Sequence, residues 1–484
     1  MKTCLLLAGC GALVAFGAAS AQAETLREAL ITAYQQNPTL NAARAAQRAT
    51  DEGVPISLAD GRPSSQVQAQ YTENFLNPAN AFTAPERSLN GSINLTVPVY
   101  SGGSVRNGIK AAKTRVGAGQ ADLRGTEAAV FSNVVAAYMD VMRDEAIVSL
   151  RLQNVGALET NLQASSDRFE IGDLTRTDVA QSDARLAIAQ SDLQTAEANL
   201  IRSKEIYIQL VGNAPGQLEP PPPLPNLPDG PESAVDTALD DNPDVIAARE
   251  RVEASKFDVK AARGARLPQV ALFTQGNYQN FLGTLGSSLI NANFIQQQSS
   301  AAGGVQLTVP VYQGGRPGAQ IRRAQALSGQ AMEQEIATER DVIAQTRGAF
   351  ASYRAAMQVI AASQVAVDSN ALALEGVRAE NSVGNRTVLD ILDAERELLN
   401  AQVQLVTARR NAYVAGFTLL AAMGKAEARD LGLDGGILYD PSVNYDRVRR
   451  KINDWASDED PTAQSTRTVD TPAQDAALIG PPAN

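Results

Sequence analysis

The sequence predicts an exported α+β protein built from two internal structural repeats, each supplying two strands and two long helices. Three observations predict it. Val97-Pro98-Val99-Tyr100-Ser101-Gly102-Gly103 recurs as Val309-Pro310-Val311-Tyr312-Gln313-Gly314-Gly315, an offset of 212. Ser92 to Val99 and Val305 to Val311 alternate apolar and polar residues, the period of a strand with one apolar face. Long proline-free stretches carry an apolar residue every seventh position, the signature of coiled-coil packing. A period of about 210 residues is too long for a solenoid unit and reads as a duplicated half-protein.

The elements follow in order. Met1-Lys2-Thr3, an apolar run to Gly17 and Ala21-Gln22-Ala23 make residues 1–23 a secretory signal peptide. Leu7-Ala8-Gly9-Cys10 also fits a lipoprotein cleavage box, so lipidation of Cys10 stays open. Cys4 and Cys10 both lie in this segment, and the chain has no histidine. No later apolar run reaches the ~18 residues of a membrane helix, so the exported chain either stays soluble or enters the membrane as strands.

Repeat 1 spans 24–217. It opens with an Ala/Gln-rich helical stretch from Thr25 to about Ala59, broken at Asn37-Pro38, where proline suits a helix start. Strands are expected at about 64–73 and 88–100; Ile93, Leu95, Val97 and Val99 share one face of the second. Helices are expected at about 103–168 and 176–211. Val134, Val141, Val148, Val155 and Leu162 form the heptad seam of the first, and Val179, Leu186, Leu193, Leu200 and Tyr207 that of the second. Some 65 helical residues span roughly 100 Å.

Pro220 to Pro223, Pro225, Pro228 and Pro231 make 218–231 a stiff extended linker. Repeat 2 spans 232–425, with Asn242-Pro243 and Pro268 echoing Asn37-Pro38 and Pro63 at an offset of 205. Its strands are expected at about 268–279 and 301–312 and its helices at about 315–380 and 388–422; Leu392, Leu399, Val406, Tyr413 and Leu420 form the last seam. The seven extra residues of this repeat fall between the two strands, where Asn77-Pro78-Ala79-Asn80 and 283–300 read as exposed loops. A C-terminal equatorial segment, 426–453, precedes a polar tail, 454–484, whose composition predicts disorder.

A formal charge of −11 argues against an electrostatic nucleic-acid binder. Without His or Cys in the mature chain, zinc sites and His-based triads are excluded. Gly102-Gly103 and Gly314-Gly315 lack the Lys-Ser/Thr of a phosphate loop and read as glycines where a strand becomes a helix. A two-carboxylate hydrolase remains a distant reading. No catalytic, metal or cofactor site is expected.

One constellation stands out: Arg386-Thr387-Val388-Leu389-Asp390-Ile391-Leu392-Asp393. On a helix, Asp390 and Asp393 point away from the stripe centred between Ile391 and Leu392, and Glu397, Asn400, Gln404 and Asn411 continue their column. Thr387 with Asp390, like Thr175 with Asp178, also fits a helix-capping box. The column also fits a solvated helix face. Four strands cannot close a barrel, since single-chain barrels start at about eight. Copies of the chain must therefore complete a ring. The attached helices then form a ring too, and the acidic pair becomes rings of carboxylates that select cations.

The duplicated Asn-Pro, the duplicated Val-Pro-Val-Tyr-x-Gly-Gly, and Ser382-Val383-Gly384-Asn385-Arg386-Thr387 running into Asp390 and Asp393 resemble the TolC family of outer-membrane channel proteins, over about Glu24 to Lys425. The resemblance implies a homotrimer sharing a twelve-stranded β-barrel in the outer-membrane lipid, continued by a long periplasmic α-helical coiled-coil barrel. It implies the exit duct of a tripartite efflux pump or type I secretion system, docked to a periplasmic adaptor protein and an inner-membrane transporter. It implies that Asp390 and Asp393 form acidic rings at the periplasmic aperture and that Thr177, Asp178 and Arg386 help latch it shut. Where the family often has tyrosine, this chain has Asn381, a shorter side chain with less reach toward Asp178. The rival class is a soluble periplasmic coiled-coil adaptor, against which the duplicated alternating strands argue.

Overall fold

The computed structural model describes residues 24–76, 84–286, 294–433 and 438–478. The signal peptide and the 77–80 loop lie outside the described residues. In chain order the elements are α1 (Leu26–Gln36), α2 (Pro38–Asp51), α3 (Gly53–Ala59), β1 (Ser64–Glu73), β2 (Arg87–Ser101), α4 (Ser104–Glu170) and α5 (Arg176–Val211). Then follow α6 (Pro231–Asp241), α7 (Pro243–Gly264), β3 (Gln269–Asn280), β4 (Gln297–Thr308), α8 (Arg316–Ser382), α9 (Val388–Ala422) and α10 (Pro441–Val448). Among the described residues no helix is long and apolar enough to cross a membrane.

The strands form one antiparallel sheet in the order β1-β2-β3-β4. Register follows the period-two pattern. Val67 pairs with Ile93, Val97 with Leu272, and Leu272 with Val305, so the apolar residues share one face. Gln66 pairs with Asn94, Asn94 with Gln275, and Gln275 with Ala302, which gives a second face rich in amides and hydroxyls. The apolar face is uncovered within the chain: Ile93 is 52% and Val305 66% exposed.

The last strand departs from the sequence expectation. The alternation from Val305 to Val311 predicts a strand reaching 312, but β4 ends at Thr308, which pairs with Gln269, the first residue of β3. In β2 the matching Pro98 to Ser101 pair with Ala271 to Gln269 across a bulge. Among the described residues no strand pairs with 309–312, and Val311 is 93% exposed. A strand needs a partner for its backbone groups, and apolar alternation alone does not supply one.

Two successive left-handed glycines lead into each of the two longest helices, after β2 and after β4. Gly102 (φ 63°) and Gly103 (φ 78°) precede α4; Gly314 (φ 59°) and Gly315 (φ 80°) precede α8. That backbone region is strained for any residue with a Cβ. Helices α4 and α8 each run 67 residues, about 100 Å. The seam of α4 is buried where predicted: Val134, Val141, Val148 and Val155 face the interior with Leu193, Leu200 and Tyr207 of α5.

The recurrent Asn-Pro has a physical role. Asn37 and Asn242 cap α2 and α7, accepting two backbone N–H groups each, while Pro38 and Pro243 take the first helical position. Each side-chain amide then donates to the last turn of a long helix: Asn37 to Leu210 O and Asn242 to Ala422 O, both 2.9 Å.

The tail also differs from expectation. Residues 454–478 hold no helix or strand but lie as a strap on the helices. Lys204 of α5, 1% exposed, donates to Asp475 O at 3.2 Å and Ala477 O at 2.8 Å. Gln474 N donates to Glu205, Asp458 pairs with Arg447, and Leu478 packs on the core. Low hydrophobicity predicts disorder, but an ammonium stripped of water fixes backbone carbonyls that composition does not register.

Candidate functional site

The site lies where the helical hairpins turn, at the ends of α4, α5, α8 and α9 farthest from the sheet. Each turn is a glycine-closed helix end followed at once by a capped helix start. After α4, Gly172 (φ 83°) donates to Phe169 O and Asp173 to Arg168 O; after α8, Gly384 (φ 81°) donates to Asn381 O and Asn385 to Glu380 O. These paired bonds satisfy the last carbonyls of each helix. Thr175 and Thr387 then form complete capping boxes with Asp178 and Asp390. In both, the aspartate accepts the threonine N–H at 2.9 Å and the hydroxyl at 2.8 Å.

These bonds hold both carboxyls below the ordinary aspartate range, the backbone N–H first and the hydroxyl second. Asp390 therefore stays ionised, and its nearest cation, Arg386, is 3.9 Å away. Arg386 itself is held by Glu380, Nε to Oε2 at 2.7 Å. Asn381 donates to Arg386 O at 2.7 Å.

The expected latch residues are thus engaged mainly within their own hairpins. Asp178 serves its cap and Asn381 the neighbouring turn, so the structure holds no Asn381–Asp178 bond; the turn geometry brings the Arg386 carbonyl closer to the short amide. Thr177 is exposed and makes no side-chain hydrogen bond among the described residues. Asp393 is placed differently from Asp390. Its Oδ1 accepts from Arg185 Nη2 of α5 at 2.7 Å and stands 3.7 Å from Arg396.

Sequence reasoning missed further groups. Glu395 bridges three helices, taking Arg378 of α8 at 2.7 Å and Asn161 of α4 at 3.3 Å. Higher up, Arg410 of α9 donates to Asp140 of α4 at 2.9 Å. Arg143 pairs with Asp144, which also accepts from Ser203 of α5 at 2.6 Å. The one available signal was charge: Arg185 stands where the second repeat has Glu397, at the 212 offset. Among the described residues no three His, Cys, Asp or Glu side chains converge as metal ligands.

Comparison with known proteins gives a consistent picture. The profile of the family described as outer membrane efflux protein matches residues 19–213 and 234–425. The outer membrane efflux protein BepC of Brucella suis is 34% identical over 432 residues, 89% of this chain and 92% of its own length. The outer membrane protein TolC of Escherichia coli is 25% identical over 443 residues, 88% of each chain. The crystal structure of the Campylobacter jejuni CmeC outer membrane channel superposes with a TM-score of 0.73 at 16% identity, covering 89% of this chain and 90% of that one.

Proposed function

This chain belongs to the outer membrane efflux protein family, and from that premise we propose that it works as a homotrimeric exit duct gated at the hairpin end. It is an outer-membrane channel of the efflux and type I secretion kind. Three copies would bring twelve strands edge to edge, enough for a closed barrel where four are not. The observation that carries this reading is the two-faced sheet. An uncovered apolar face suits lipid, an amide and hydroxyl face suits a water-filled lumen, and both outer edges are open for another copy. A soluble adaptor has no use for such a sheet.

The helices then continue the lumen through the periplasm. At their ends, Asp390 forms one acidic ring and Asp393 a second. Arg386, Asn381 and Asp178 hold the hairpin turns in the closed arrangement, and the exposed Thr177 hydroxyl, unengaged among the described residues, is left for a neighbouring copy. The duct is passive, driven by an inner-membrane transporter through a periplasmic adaptor protein. Selective detergent extraction tests the assembly: a trimer confined to the outer-membrane fraction is expected, and a soluble monomer would overturn it. Arg386→Ala tests the gate, with raised single-channel conductance expected in planar bilayers.

A further inference from the structure

We propose that Arg185 both ties α5 to α9 and masks the inner acidic ring, so that opening the duct and strengthening its preference for cations are one event. The inference rests on reading the hairpin end as the gated aperture.

The contacts near the turns are of two kinds. Most stay within one hairpin: Thr175 with Asp178, Thr387 with Asp390, Glu380 with Arg386, Arg378 with Glu395. Two polar contacts cross between hairpins, the neutral amide of Asn161 on Glu395 and the ion pair of Arg185 with Asp393, above apolar packing of Leu392 and Val388 on the shared core. The ion pair is thus the charged tie holding the α8–α9 hairpin against α4–α5 at this level. It sits about 14 Å into α5, deeper than the caps. It is partly shielded, with the side chains of Arg185 and Asp393 27% and 45% exposed.

Its second effect is electrostatic. Asp390 carries a charge opposed by one guanidinium 3.9 Å away. Asp393 faces two guanidiniums, one in direct contact. A paired carboxylate presents a dipole whose field fades within a few ångströms in water, whereas a lone one reaches a Debye length of about 8 Å. In the tied state Asp393 adds little to the lumen's charge. Separating α9 from α5 breaks the direct pair and leaves Asp393 with Arg396 alone at 3.7 Å, much as Asp390 stands with Arg386 at 3.9 Å.

Planar-bilayer recording under a KCl gradient separates the two roles, reading conductance and zero-current potential together. Arg185→Gln and Asp393→Asn both break the tie, so both raise conductance, by up to about fivefold, the equilibrium shift a partly exposed ion pair can carry. They move ion preference in opposite directions: Arg185→Gln toward cations, Asp393→Asn toward anions. The exchange Arg185→Asp with Asp393→Arg rebuilds the pair and returns conductance toward the parent value. Asp390→Asn is the control for the aperture. If it shifts the zero-current potential while Arg185→Gln changes neither readout, the tie is overturned and the aperture reading stands. If Asp390→Asn is also silent, both fail.

Discussion

Asn242 reaches from the start of α7 to the carbonyl of Ala422 at the end of α9, 2.9 Å away, and thereby fixes the base of the long hairpin to the element feeding β3. Asn37 makes the same link to Leu210. Both side chains are nearly buried and combine a cap with a donor. Asn242→Ala should lose about 1–2 kcal/mol from the cap alone and more from the orphaned carbonyl. Asn242→Ser, which keeps an acceptor but lacks the reach, should fall between. Thermal melts of helical circular dichroism in detergent decide it; an alanine variant as stable as the parent would refute the link.

The strap over α5 predicts a chemical protection. Lys204 should resist acylation by an amine-reactive reagent in the full chain, because its ammonium is enclosed by the carbonyls of Asp475 and Ala477. Ending the chain after residue 469 should make Lys204 modifiable, as read by peptide mass spectrometry. Equal labelling with and without those residues would mean that the strap does not stay in place.

Acid should loosen the hairpin turns first at their caps. The Asp390 carboxyl lies below its unfolded value of about 3.9 because the Thr387 N–H and hydroxyl favour the charged form. A lowered carboxyl contributes stability that is present above the unfolded pKa and lost as pH falls through the folded one. Protection against hydrogen exchange over 383–392, corrected for the intrinsic rate, should therefore fall as pH drops below about 4. Thr387→Ala, which removes the hydroxyl but keeps the N–H, should shift this loss to higher pH.

The paired glycines at the sheet-to-helix turns should not be equivalent. A Cβ on Gly102 meets the Gly264 carbonyl oxygen, and Leu267 Cβ at 2.8 Å, whereas one on Gly314 meets nothing within 4 Å. Gly314→Ala should cost about 1–2 kcal/mol for its left-handed backbone. Gly102→Ala adds ~1–3 kcal/mol of overpacking to that. Chemical unfolding of the two variants compares them. Equal losses would put a neighbouring copy's atoms against Gly314.

Much of the fold was legible because it follows local rules. Strand register follows the alternation around Ile93 and Leu95, and the capping boxes follow from Thr175 and Thr387 three residues before an aspartate. What escaped depends on partners distant in sequence. Arg185 and Asp393 are 208 positions apart, and Lys204 meets carbonyls more than 270 positions away. The residues around Pro310 read as strand because their pattern is a strand's, yet none of the described residues pairs with them. The spacing Thr387 to Asp390 marks the capped carboxylate, but nothing local marks Arg185 as the partner of Asp393.

The stretch from Val309 to Tyr312, left without a strand beside it, has a genetic consequence. In the trimer proposed above, a chain whose strand edges depend on neighbours cannot fail alone. A copy that folds its helices but carries a broken edge can still join other copies and deny each of them a closure. Substitutions on β1 or β4 should therefore behave as dominant in cells that also make the intact protein. Substitutions that unfold the chain before it meets another copy should be recessive.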